Sequence, residues 1–332
     1  MNLKRRAFVS SLSAAMAMRS IPTIAQQTSH LRTVGVLMGL ANDEETQARA
    51  AAIERGLARK GWIAGQNLRI EYRYAEGDVE RMLTLSKELV SLRPDVIVGH
   101  STPVVSALLK ITHTIPIVFV VVADPVGSGF VASLARPGAN VTGFINLSPT
   151  ITGKYLSILK SLKPQLTHVG LMYNPVSVPG GGATFKSAFT ESAREFHISP
   201  IVTEVHSGPE IKRAMEELGA VENSGLIVMP DNFTTFYRES IISGAARLRI
   251  PAIYPYRYFV DEGGLLSYGI DVLDLFQRAP DYIDRILRGA NPAELPVQAP
   301  RKFELVINLK TARELGLVIP RILLAGADAL IE

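Results

Sequence analysis

Residues Ile115–Asp124 read "IPIVFVVVAD". A β-branched, apolar run with no polar alternation is what a strand covered on both faces requires, and such strands belong to parallel sheets. The run stops on a carboxylate, Asp124. A loop follows, "PVGSGFVASLARPGANV" (125–141), dense in glycine and proline, and the next acid along the chain is Glu191. A lone carboxylate at a strand end marks Asp124 as a candidate ligand contact.

Working outward, the same alternation recurs. "LRTVGVLM" (31–38) predicts a strand and "DEETQARAAAIERGLARKG" (43–61) a helix, with acids in its first turn, Ile53 and Leu57 at i,i+4, and Gly61 as its stop. "NLRIEYRYA" (67–75), a helix from Asp78 to about Leu92, "DVIVGHS" (95–101) and a helix from Pro103 lead back to Ile115, and "NVTGF" closes the block. A second block supplies "HVGLMYN", "ISPIVTEV", "GLIVMPD" and "PAIYPY", each followed by a helical stretch. Then come "GLLSYG", the helix "DVLDLFQRAPDYIDRILRG", a proline-rich crossing and a final strand and helix, "FELVINLKTARELGL". The expected fold is α/β, two Rossmann-like lobes with parallel sheets joined by a multi-crossing hinge. The expected bounds are 30–145 plus 261–290 for lobe one and 150–258 plus 296–332 for lobe two, with hinges near 143–153, 258–264 and 290–298.

The chain has 332 residues and a formal net charge of +4, and the whole excess lies in Lys4, Arg5, Arg6 and Arg19. Beyond residue 25 the 31 remaining basic residues balance 31 acids, which removes the main support for nucleic acid as a partner. "MNLKRRAFVSSLSAAMAMRSIPTIA" (1–25) has the basic start, short apolar run and small-residue end of an export signal peptide, and "KRRAFV" resembles the twin-arginine form. Cysteine is absent, which excludes disulfides, thiolate metal sites and a cysteine nucleophile.

In open parallel sheets, ligands sit at the carboxyl ends of the strands, against helix N-termini. Lobe one offers Met38–Asn42, His100, Ser101, Thr102 and Asp124 there. Lobe two offers Tyr173, Asn174, Asp231, Asn232 and Tyr254 to Arg257, and "LLSYG" adds Ser267 and Tyr268. Polar groups gather at these ends while the strands behind them are almost wholly apolar.

Three enzyme motifs fall short. Gly127–Ala132 fits G-x-G-x-x-A, but no acid follows at the distance a ribose contact needs. "GGGATFKS" (180–187) puts Phe185 where a phosphate loop needs glycine. "GHSTP" (99–103) approaches a nucleophile elbow, but Pro103 replaces a required glycine and suits the first turn of a helix, so Ser101 reads as a cap or a ligand-binding hydroxyl. No two of the six histidines (30, 100, 113, 168, 197 and 206) stand at i,i+4, so neither a metal nor a cofactor is expected.

Several long segments carry a resemblance: "VADPVGSGFVASLARPGANVTGF" (122–144), "KYLSILK" (154–160), "GLIVMPDNFTT" (225–235), "IPAIYPYRYFVDEGGLLSYGIDVLDLFQRAPDYIDRILRG" (250–289) and "FELVINLKTARELGL" (303–317). They resemble the exported substrate-binding proteins of ABC importers, in the branch that includes tryptophan/tyrosine-type binders. The resemblance implies a type I periplasmic-binding-protein-like fold and a monomeric, periplasmic receptor rather than an enzyme. It would close on a small-molecule solute and deliver it to an ABC permease and its ATPase.

For an amino-acid-like ligand, Ser101, Thr102 and the helix N-terminus at Pro103 would hold the carboxylate. Asp124 or Asp231 would pair with the ammonium, and Arg257 offers an alternative carboxylate clamp. "YPYRYF" and Tyr268 would supply ring faces, although Tyr254 and Tyr256 alternate with Pro255, so only one face of that segment lines a cleft. Asp231 is equally suited to cap a helix near Thr234. Tyrosine or tryptophan, branched amino acids and aromatic acids all fit these groups. The alternatives are an exported serine hydrolase using Ser101 and a periplasmic sensor domain.

Overall fold

The computed structural model describes residues 31–146 and 151–332; the expected export signal (1–25) and residues 147–150 of the first expected hinge lie outside the described residues. Lobe one begins β1 (Arg32–Met38), α1 (Glu44–Ala58), β2 (Leu68–Tyr74), α2 (Val79–Ser91), β3 (Val96–His100) and α3 (Thr102–Leu109), and ends with β4 (Ile117–Val122) and β5 (Val141–Ile145). All pairings are parallel, in the order β2-β1-β3-β4-β5. All six residues of β4 are buried, as its composition demands. Asp43 caps α1 reciprocally with Thr46, and Asp78 caps α2 through the Glu80 and Arg81 amides.

The second lobe runs through α4 (Ile151–Leu162), β6 (His168–Tyr173), α5 (Ala183–Glu195), β7 (Ser199–Glu204), α6 (Gly208–Gly219) and β8 (Ser224–Val228). It continues with α7 (Asn232–Phe236), α8 (Arg238–Arg247), β9 (Ala252–Tyr254), α9 (Arg257–Asp261) and β10 (Leu266–Ile270). After α10 (Val272–Leu287) come β11 (Phe303–Asn308), α11 (Leu309–Glu314), α12 (Arg321–Ala325) and β12 (Ala329–Ile331). The sheet order is β12-β11-β10-β9-β8-β6-β7, parallel except for the antiparallel β10–β11 pair. Read from its other edge, β7-β6-β8-β9-β10 repeats the order of lobe one. Each lobe therefore reverses its strand order once, between β1 and β3 and between β6 and β8, and leaves a crevice there.

Sheet membership corrects one boundary. The segment 261–290 does not belong to lobe one as a whole: β10 pairs with β9 and β11 in the second sheet, and α9 packs on the same strands. Only α10 crosses over, to pack on α1, β4 and β5. The chain crosses back after Gln298, whose backbone exchanges hydrogen bonds with Gly143 and Ile145 beside β5. At the crossings Asp271 N donates to Lys302 O at 3.2 Å, so these two passages run side by side and residues 258–264 form neither. The misplacement arose because "LLSYG" reads as a strand in either lobe, and only its pairing tells which.

Candidate functional site

The two crevices meet in one cavity. From lobe one, β3 ends at His100 and the chain turns at Ser101 with φ 86°, a left-handed conformation unusual for a residue with a side chain. That turn starts α3 with Pro103 in its first turn. Thr102 Oγ1 accepts from Ala123 N at 3.1 Å, which ties the ends of β3 and β4 together. Ser101 Oγ accepts from Asn232 Nδ2 at 2.7 Å, across the two lobes. Ser101 makes no side-chain cap of α3. Its neighbour His100 accepts from Gly39 N at Nδ1 (3.4 Å) and packs its ring on Phe276, and burial holds its imidazole neutral, well below the usual histidine range.

From lobe two, Pro230 and Asp231 follow β8. Asp231 caps α7 through Thr234 N (2.7 Å) and accepts from Asn174 N (3.1 Å), joining the ends of β6 and β8. It lines the cavity as well as capping the helix. Burial pushes its carboxyl up to about 6, opposed by these N–H donors. Asn174 shapes the wall rather than facing the cavity: its Oδ1 accepts from Val176 and Ser177 amides.

The cation in this cavity is Arg49, on α1, which is only 2% exposed. Its guanidinium lies 5.5 Å from the Tyr258 ring centroid and 5.9 Å from that of Phe276. The nearest carboxylate, on Glu45, stands 3.9 Å away on the solvent side. Tyr256 and Tyr258 stack at 5.3 Å and form the aromatic wall. Tyr256 Oη accepts from Asn146 Nδ2 at 3.0 Å, a second contact between lobes.

Four expected residues lie elsewhere and a fifth stands apart on a loop. Tyr254 is buried behind the cavity, stacked on Phe259, because Pro255 breaks the alternation and turns Tyr256 and Tyr258 inward instead. Arg257 is half-exposed and pairs with Asp261 and Glu304, so Arg49 replaces it as the cavity's guanidinium. Ser267 is buried within β10 and Tyr268 stacks on Phe303. Asp124 is exposed and closes its own turn by accepting from Gly127 N at 2.8 Å.

Arg49 and Asn146 were missed by the motif reading, whereas Asn232 stood among the strand-end positions of lobe two without being assigned a role. Arg49 had a signal: it falls on the stripe with Ile53 and Leu57 at four-residue spacing, so an ion sits on the buried face of α1.

Among the described residues, no group of three or more His, Asp or Glu side chains is arranged to hold a metal ion, and no helix is long and apolar enough to cross a membrane.

Residues 33–331 match the family model described as ABC transporter substrate binding protein. The chain is 27% identical over 267 residues to a tyrosine-binding protein from Clostridioides difficile, covering 79% of this chain and 75% of the relative. A conserved domain protein from Vibrio cholerae is 30% identical with a TM-score of 0.83, and covers 90% of this chain and 99% of its own. A domain from Streptococcus pneumonia solved with L-Trp is 28% identical, with a TM-score of 0.82 and the same coverage. The paired α/β lobes are those of type I periplasmic binding proteins. With a family match across nearly all the described residues and two lobes closing on one polar cavity, the chain belongs to the ABC transporter substrate binding protein family.

Proposed function

We propose that this protein is the exported, monomeric receptor of an ABC importer, and that it captures an amino acid with an aromatic side chain for a membrane permease and its ATPase. One observation carries the reading: a buried cation from lobe one, Arg49, and a buried carboxylate from lobe two, Asp231, line one cavity beside two stacked tyrosines. A zwitterion supplies a counter-charge to each. Burying either charge without a partner is costly, so a ligand with both ends matches the site better than a sugar or a simple acid. The arginine is suited to a two-pronged carboxylate contact, and the tyrosines offer ring faces to a flat side chain. The names of two relatives, one tyrosine-binding and one solved with L-Trp, agree with this ligand class.

Closure would bend the passages at 271 and 299–302, which join otherwise compact lobes. The hydrolase alternative lacks support: Ser101 Oγ is bonded to an amide, and His100 beside it is engaged with Gly39. Thermal-shift measurements with the common amino acids, followed by calorimetry, test the proposal. Tryptophan and tyrosine should raise the melting temperature through binding to the folded state. Stabilisation by sugars or fatty acids and by no amino acid would remove the reading.

A further inference from the structure

Asn146 follows β5 at the point where the chain leaves lobe one. It is 4% exposed and lines the cavity. Its backbone is pinned by Asn146 N donating to Val122 O at 2.8 Å, and its side-chain amide is oriented by Nδ2 donating to Tyr256 Oη. The other amide atom, Oδ1, is buried and meets no donor. Of the buried side-chain polar atoms in this state among the described residues, the one on Asn146 alone borders this cavity. Buried polar atoms are ordinarily satisfied, and an acceptor held rigidly at a cavity wall is a demand for a donor on whatever fills it.

We propose that Asn146 is a specificity-determining residue that reads the ligand's ring: Oδ1 accepts from a ring-borne N–H or O–H, so the site takes indole- and phenol-bearing amino acids and discriminates against a bare phenyl ring. This rests on the amino-acid reading above. The ligand's ammonium is the competing donor, but Asp231 already offers that group a full counter-charge from the opposite lobe. Asn146 is neutral and is tied to the aromatic wall through Tyr256, where a ring lies. A site built to hydrogen-bond a ligand's polar group rejects the analogue lacking it far more strongly than an apolar pocket rejects a missing methylene, because the site's own buried group is then stranded.

Calorimetry with tryptophan, tyrosine and phenylalanine on the full mature protein tests this. The native protein should bind tryptophan and tyrosine at least about tenfold more tightly than phenylalanine. Asn146→Leu should shrink that gap to within about threefold by weakening the first two, with phenylalanine unchanged or improved. Asn146→Asp, which keeps an acceptor at the same place, should retain the preference and guards against a variant that misfolds. Equal affinity of the native protein for all three would overturn the inference and leave the amino-acid reading intact. Equal loss for all three in Asn146→Leu would also overturn it, since Asn146 would then serve the ammonium or the closed cleft alone. If none of the three binds, the amino-acid reading itself falls and takes the inference with it.

Discussion

Asn232 Nδ2 donates to Ser101 Oγ at 2.7 Å, and the two residues stand at the strand ends of opposite lobes. Gly39 lies under this contact. A Cβ there would approach Asn232 Nδ2 to 2.2 Å and Ser101 Oγ to 2.8 Å, closer than real side chains pack. Gly39→Ala should therefore wedge the lobes apart, at a cost of about 1–3 kcal/mol to the closed form. Small-angle scattering in saturating ligand should give a larger radius of gyration than the native protein, with weaker binding; unchanged values would show that the lobes tolerate the wedge.

Arg49 should dominate affinity. Removing one partner of a buried, hydrogen-bonded ion contact costs roughly 2–5 kcal/mol, so Arg49→Met should weaken amino-acid binding about thirtyfold or more. Arg49→Lys should recover only part of this, because a point charge cannot reproduce the two-pronged contact. Calorimetry measures both, and circular dichroism checks that α1 still folds.

Asp231 predicts a pH dependence of opposite sign for stability and for binding. Its carboxyl, raised to about 6, holds its proton more tightly in the folded chain than in the unfolded one. Its contribution to the stability of the free protein should fall as pH rises from about 4 through about 6, by at most about 1.4 kcal/mol per pH unit. An ammonium ligand favours the ionised form, so affinity should instead fall as pH drops below about 6, up to about tenfold per unit. Asp231→Asn should remove this contribution to stability and flatten the binding curve, measured by melting temperature and calorimetry from pH 4 to 8. His100 acts in the opposite direction: burial holds its imidazole well below the usual histidine range, so the unfolded chain takes up a proton that the folded chain refuses, and stability is lost from this residue as pH falls through the ordinary histidine range.

Asp124→Ala and Arg257→Ala should each leave affinity within about twofold, as expected for surface changes away from the site. Asp124 closes an exposed turn and Arg257 sits in an exposed ion-pair cluster. A tenfold loss in either variant, measured by calorimetry, would place the ligand at the rim instead of beside Arg49.

Much of the architecture was legible because sheet burial writes itself locally. The unbroken apolar run of β4 and the helix caps at Asp43 and Asp78 each need only their near neighbours in sequence. The same is true of the strand-end residues Ser101, Thr102 and Asp231, which line the cavity. Tyr254 and Tyr256 were harder to separate. Alternation says that the two differ from a single neighbour between them, but Pro255 ends β9 and only the turn into α9 decides which rings face inward.

Sequence by itself thus determined the alternating α/β order, the apolar strands, the family and the polar strand ends that border the cavity, since all of these follow from short-range periodicity and from motifs. Tertiary structure alone decided that β10 stays with the second sheet while α10 returns to the first, and that Arg49, Asn146 and Asn232 converge on one cavity. Those residues lie far apart in sequence, and no local pattern encodes a contact whose partners are brought together only by packing between lobes.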